Sequence, residues 1–322
     1  MRTGRNIEGG GRLPALNPRD LALALLVVTT WGANFTVIRL GLDGFPPMLL
    51  AALRYAFTAL PWVFVVRRPA VPARYWVAYG LTGGLGQFAC LFYAMHIGMP
   101  AGIASVVMQA QPVFTITFAA AMLREPILPQ QLAGLAVAGS GLYLVATGAA
   151  GPGAGVPVPV GALLLTIAAA AWWGVANIVI RLATARAAAQ DENLDMLGVL
   201  VWSSLIPPLP FLGLSLVLDG PAVLAAALAG ADLTSAFSVA YLAYGATLFG
   251  FGMWNRLLAR YPAGRVAPLS LLVPVTGLLT AAVVLGERLS LLQGVGSALT
   301  ILGLALSSRV RPARAAAGGR ED

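Results

Sequence analysis

Apolar runs of membrane-crossing length, separated by short polar or Pro/Gly-rich stretches, recur along the whole chain. A helix needs roughly 20 apolar residues to cross the hydrocarbon of a bilayer. Ten runs meet that requirement: 20–40, 46–66, 74–95, 101–123, 128–148, 158–181, 195–217, 234–258, 263–285 and 289–308. The first follows several arginines, as the core of a signal peptide does, but its length and its internal counterpart make it the first span. The pattern predicts an all-α polytopic membrane protein of ten transmembrane helices. Composition agrees: the chain is 59% hydrophobic and 10% charged, against roughly a quarter charged in soluble domains. Lipid is the solvent such a surface requires.

The polar and apolar positions also repeat. Residues 77–144 match 239–306 at a constant shift of 162, with Tyr79/Tyr241, Pro100/Pro262, Pro112/Pro274, Glu125/Glu287, Gly134/Gly296 and Gly141/Gly303 among the identities. Upstream the shift is 142, where Trp31, Gly32, Ile38 and Arg39 recur as Trp173, Gly174, Ile180 and Arg181. A duplication in an apolar chain marks a transporter built from two repeats with its site between them. The expected organisation is a tail (1–19), a first five-helix repeat (20–148), a linker (149–157), a second five-helix repeat (158–308) and a second tail (309–322).

Charge orients the spans. All 20 basic residues are arginine, so no Walker A lysine or Schiff-base lysine exists. With the N-terminus inside, seventeen arginines fall in cytoplasmic segments, only Arg39 and Arg288 fall outside, and Arg54 lies within the second span. That asymmetry predicts both termini in the cytoplasm. Five spans per copy is odd, so the copies insert in opposite senses. The net charge of +8 is spread over loops and tails, which gives no nucleic-acid signal.

Pro112 and Pro274 lie at the middle of spans four and nine. Proline cannot donate to the carbonyl four residues back, so the carbonyls of Met108 and Ser270 are expected to be freed near mid-membrane. Paired breaks at one depth point to a central binding site, against the blander reading of two packing kinks. Gln109, Gln111, Gln87, Asn255, Asn34 and Asn177 are polar candidates at similar depth, as substrate contacts or as interhelical glue. On an α-helix at most one of Gln109 and Gln111 faces a cavity squarely. Arg54 is a structural or gating cation, or the receiver of a substrate carboxylate. Trp173 and Tyr93 offer aromatic faces to an ammonium group. Gly32 and Gly174 read as close-packing positions. Glu125 and Glu287, at the ends of spans four and nine, read as residues that cap or pin the following helix turn. His96 and Cys90 are the single residues of their types and read as an interfacial histidine and a packing thiol. No metal cluster, P-loop or nucleophile elbow appears, so neither a cofactor nor enzymatic chemistry is expected.

These motifs resemble the EamA family of the drug/metabolite transporter superfamily over essentially the whole chain. The stretches PPMLLAALRY (46–55), GMPAGIASVVMQAQ (98–111), VWSSLIPPLP (201–210) and RVAPLSLLVPV (265–275) are similar to its O-acetylserine/cysteine exporter branch. The resemblance implies a secondary exporter of small amino-acid metabolites in the bacterial inner membrane, working by alternating access. Its expected partners are a small-molecule substrate and lipid, with protons as the candidate coupling ion. Family members commonly carry Gly-Glu after span four; here the first copy has Arg124-Glu125 and the second Gly286-Glu287. An exporter of an aromatic amino acid, nucleobase or toxic cation is the alternative, and a non-transporting membrane protein the more distant one.

Overall fold

The computed structural model describes residues 16–148 and 158–307. Most of the expected N-terminal tail, the whole linker and the C-terminal tail lie outside these residues. Every regular element among the described residues is helical.

Helices occupy each apolar run. They are α1 (Pro18–Gly44), α2 (Pro47–Ala59), α3 (Ala73–Tyr79, continuing through Gly80–Gly86 to Gln87–His96), α4 (Ala101–Leu123) and α5 (Pro129–Thr147). Then come α6 (Val160–Ala188), α7 (Met196–Leu218), a short helix at Pro221–Ala229, and α8 (Leu233–Arg260). α9 begins at Ala263–Val266 and runs on as Ala267–Leu285, and α10 is Leu291–Ser307. Six of these, α1, α4, α6, α7, α8 and α9, contain stretches long and apolar enough to cross a membrane.

Proline sets several of the departures from the expected spans. Pro61 has no N–H to offer the Phe57 carbonyl, so α2 ends at Ala59 after 13 residues. The rest of run 46–66 is hydrogen-bonded turn, with Val66 N–H on the Trp62 carbonyl at 2.7 Å. α7 is interrupted between Ser203 and Pro208, where Pro207 and Pro208 meet. Conversely α6 extends to Ala188, beyond the apolar run 158–181.

Helix starts repeat between the two halves. Gln131 accepts the Leu128 N–H at 2.9 Å and Gln293 accepts the Ser290 N–H at 3.0 Å. Each satisfies one of the donors a helix N-terminus leaves open. The repeats also interlock. α1 packs on Val273–Leu285 of α9, and α6 packs on Gln111–Leu123 of α4. A Cβ on Gly32 would lie 2.6 Å from the Gly277 nitrogen, and one on Gly174 would lie 2.7 Å from Phe114 Cβ and 3.1 Å from the Thr115 nitrogen. Thr115 and Gly277 are repeat equivalents at the shift of 162, so the same glycine makes the same close approach in both halves. α5 and α10 pack through Gly134, Gly141, Gly296 and Gly303. Their added Cβ atoms would each meet the partner's backbone at 2.3–2.6 Å.

The outer surface is apolar. Val217, Val283 and Leu291 are 83%, 84% and 87% exposed, the inverse of a water-soluble surface and the arrangement lipid demands.

Candidate functional site

The two proline breaks take the form of tightened turns. Pro112 sits in the first turn of the second half of α4, following a 3-10 turn at Met108–Ala110. Pro274 follows a 3-10 segment at Ala267–Leu272. The carbonyls expected to be free are therefore taken. Met108 accepts from the Gln111 N–H and Ser270 from the Val273 N–H, through the i to i+3 bonding that a 3-10 turn provides. The Ser270 carbonyl also accepts from Gln109 Nε2 at 3.2 Å.

A cavity of about 350 Å³ lies beside the breaks. Met108, Gln109, Gln111 and Ser270 line it, with Arg54, Gln87, Asn34, Asn177, Asn255 and Trp173. Both glutamines face it because residues two apart on a 3-10 turn diverge by about 120°, against about 160° on an α-helix. The expectation that only one would do so assumed regular α-helix. Tyr93 is elsewhere: it is exposed, in a shallow apolar groove with Met48, Cys90 and Leu165. Gln87 and Leu91 occupy the cavity face of α3, and Tyr93, two residues beyond Leu91, points away.

Arg54 is 4% exposed. Its guanidinium donates to Thr247 Oγ1 at 3.1 Å and Asn34 Oδ1 at 3.4 Å, and stacks over Phe88 at 4.1 Å. Its Nε has no hydrogen-bond partner, and none of the ion pairs among the described residues includes it. Across the cavity Asn177 Nδ2 donates to Gln111 Oε1 at 2.6 Å and to Thr115 Oγ1 at 3.0 Å. Asn34 and Asn177, on repeat-equivalent helices, thus orient different partners: one a cation, the other an amide.

Sequence reasoning missed two features. First, π-helical segments occur at Gly80–Gly86 in α3 and Tyr241–Phe249 in α8, overlapping under the shift of 162. π-turns are frequent at functional sites because they leave carbonyls for other donors. Here Trp31 Nε1 donates to the Ala246 carbonyl at 2.9 Å, and Thr247 Oγ1 to the Leu242 carbonyl at 2.7 Å. The glycines of 80–86 were the available signal. Second, the wall carries an aromatic cluster, with the Trp31 ring centroid 5.2 Å from both Phe251 and Trp254.

The two repeat-equivalent glutamates do different things. Glu287 caps the N-terminus of α4, in the other repeat, accepting Ala101 N–H at 2.7 Å and Gly102 N–H at 2.9 Å. It does not pin its own following turn as expected. A carboxylate there complements the orphan donors and the helix dipole. Glu125 instead gives both oxygens to Arg181. The hydrogen bonds from that guanidinium hold the Glu125 carboxyl below the usual carboxylate range. Each glutamate follows a left-handed residue, Arg124 (φ 56°) and Gly286 (φ 68°); only the second is a glycine, for which that conformation carries no steric cost.

A helical double repeat around a central cavity whose largely apolar wall carries a few amides and one buried arginine is the architecture of a membrane transporter. The chain belongs to the EamA-like transporter family, whose profile matches residues 20–147 and again 160–309. It is 44% identical to a "Probable amino-acid metabolite efflux pump" of Escherichia coli (strain K12), over 90% of this chain and 94% of that protein. It is 31% identical to a "Probable terminal-alkyne amino-acid exporter" of Streptantibioticus cattleyicolor, over 88% of this chain and 92% of that protein. A crystal structure sharing 21% identity superposes with a TM-score of 0.60 over 91% of this chain and 97% of its own, the same fold.

Proposed function

We propose that this transporter exports small amino-acid metabolites of the O-acetylserine/cysteine type by secondary active alternating access. In this reading ten helices form two inverted five-helix repeats in the bacterial inner membrane, with both termini cytoplasmic. The matched glycine contacts of α1 and α6 support the repeat relation, and the arginine asymmetry supports the orientation.

The observation that carries the substrate class is Arg54. A buried guanidinium with no carboxylate partner among the described residues is costly, and a substrate carboxylate arriving in the cavity offsets that cost. Gln111, Asn177 and the faces of Trp173 and Trp254 then supply oxygens and π-density to the ammonium end. The cavity sits at the small end of the roughly 300–1,000 Å³ range of small-molecule sites, which suits a single amino-acid metabolite. The relatives' printed descriptions point the same way. The aromatic cluster at Trp31 favours an aromatic amino acid as the second reading.

The test is efflux of labelled O-acetylserine and cysteine from cells producing the chain, with and without a proton gradient. Accelerated efflux that disappears in a Pro112→Ala/Pro274→Ala variant is the expected result. No acceleration for any member of an amino-acid panel, from well-expressed protein, overturns the reading. Acceleration of aromatic amino acids alone moves the substrate to the second reading.

A further inference from the structure

We propose that Glu125 and Glu287 are alternating latches, one at each end of the cavity, and that each moves between a helix N-terminus and an arginine. The closed position is seen at Glu287, which caps Ala101 and Gly102 at the N-terminus of α4. The open position is seen at Glu125, which is exposed and held by Arg181. The proposal rests on the alternating-access reading and identifies the residues that set its balance.

Repeat equivalence supplies the missing halves. Ala101 and Gly102 correspond to Ala263 and Gly264 at the shift of 162, and Arg181 corresponds to Arg39 at the shift of 142. So Glu125 has a matching helix N-terminus at α9, and Glu287 has a matching arginine at Arg39. Arg39 is now parked on Asp43 at 3.0 Å. Packing at the Glu287 end agrees: Ala101–Val107 packs closely on Val273–Leu285. A Cβ on Gly102 would meet Glu287 Oε2 and Leu278 at 3.1 Å, so the Glu287 end is tight. The cavity reaches Ile180, Met196 and Asn255, toward the opposite end. By the arginine topology this is an inward-open arrangement. In the opposite state Glu125 caps α9, Glu287 leaves α4 for Arg39, and the cavity opens outward.

The latches predict signed shifts. Glu287→Gln weakens the outer cap and Arg181→Gln releases Glu125, so both favour the outward-open state. Glu125→Gln removes the inner cap and favours the inward-open state. Spin labels on cysteines placed at Ile97 and Leu289 report the outer end, and at Met122 and Leu258 the inner end, in a Cys90→Ala background. Electron–electron distances in the full chain, in lipid nanodiscs, give the two populations, and size-exclusion profiles confirm folding. The expected result is a population ratio moved about tenfold by Glu287→Gln and Arg181→Gln, with the outer distance longer and the inner shorter, and moved oppositely by Glu125→Gln. Shifts of the same sign for Glu287→Gln and Glu125→Gln, or no shift in either, overturn the latches. The readout needs no substrate, so a failed efflux assay with the signed shifts present sinks the substrate assignment and leaves the latches standing.

Discussion

Gln109 Nε2 donates to the Ser270 carbonyl at 3.2 Å, so a single side-chain bond joins the break in α4 to the break in α9. The proline and the i to i+3 bond onto the carbonyl four residues before it recur in both breaks. The Gln109 bond does not, because the position equivalent to Gln109 is Leu271. In the alternating-access reading proposed above, such an asymmetric tie between the halves acts as a control point.

Gln109→Leu, which gives the first repeat the second repeat's residue, should preserve the fold and change transport. A neutral hydrogen bond is worth about 0.5–1.5 kcal/mol net, so the efflux rate should fall by roughly two- to tenfold at equal expression. Unchanged efflux in Gln109→Leu would assign the bond to packing alone.

Arg54→Gln should separate function from stability. The substitution removes a buried cation whose desolvation costs several kcal/mol, against the loss of stacking on Phe88 worth about 2 kcal/mol or somewhat more for a desolvated pair. The expected outcome is a melting temperature equal to or above that of the parent, with efflux abolished. A large fall in melting temperature would show that Arg54 is structural, held by Thr247 and Asn34 for the fold's sake.

The spans, the duplication and the polar wall of the cavity were legible in the sequence because each leaves a residue-type signal at fixed spacing. Ten of the eleven residues proposed to contact substrate line one cavity; Tyr93 does not, because depth was read without helical phase. The state of the carbonyls at Met108 and Ser270 was not legible. Proline specifies which donor is lost, but whether a 3-10 turn supplies another is decided by packing around the break. The π-segments left only the glycines of 80–86 as a signal, since one extra residue in a helical turn leaves no periodic mark. The partner of Glu287 lies 186 residues away at Ala101, and nothing local to either residue announces it.

The α5–α10 contact should be the least tolerant of added volume. A Cβ at Gly141 would sit 2.5 Å from the Thr300 nitrogen, whereas one at Gly139 meets nothing within 4 Å. Gly141→Val should cost at the upper end of the roughly 1–3 kcal/mol typical of overpacking, read as a lower melting temperature and reduced folded yield. Gly139→Ala should leave both unchanged or slightly improved, since alanine is the better helix former by about 1 kcal/mol. Equal behaviour of the two variants would refute the close backbone approach.

Asn177→Asp should invert the charge preference of the cavity. Asn177 donates to Gln111 Oε1 at 2.6 Å and Thr115 Oγ1 at 3.0 Å. A carboxylate has no donor to replace Nδ2, so Gln111 must turn its NH₂ toward the new charge, which a side-chain amide can do by rotation. The cavity would then hold an anion as well as the Arg54 cation. Repulsion of the substrate carboxylate and competition for Arg54 should lower efflux of zwitterionic amino-acid metabolites. Attraction of ammonium groups should raise efflux of amines that lack a carboxylate. Protonation of the new carboxyl removes its charge, so the new selectivity should fade as the pH falls from neutral toward about 4, the ordinary aspartate value. Efflux of a matched pair, an amino acid and its decarboxylated amine, measured across that pH range in parent and variant, checks the sign. Parallel loss of both substrates would mean that Asn177 serves the fold and not the cargo.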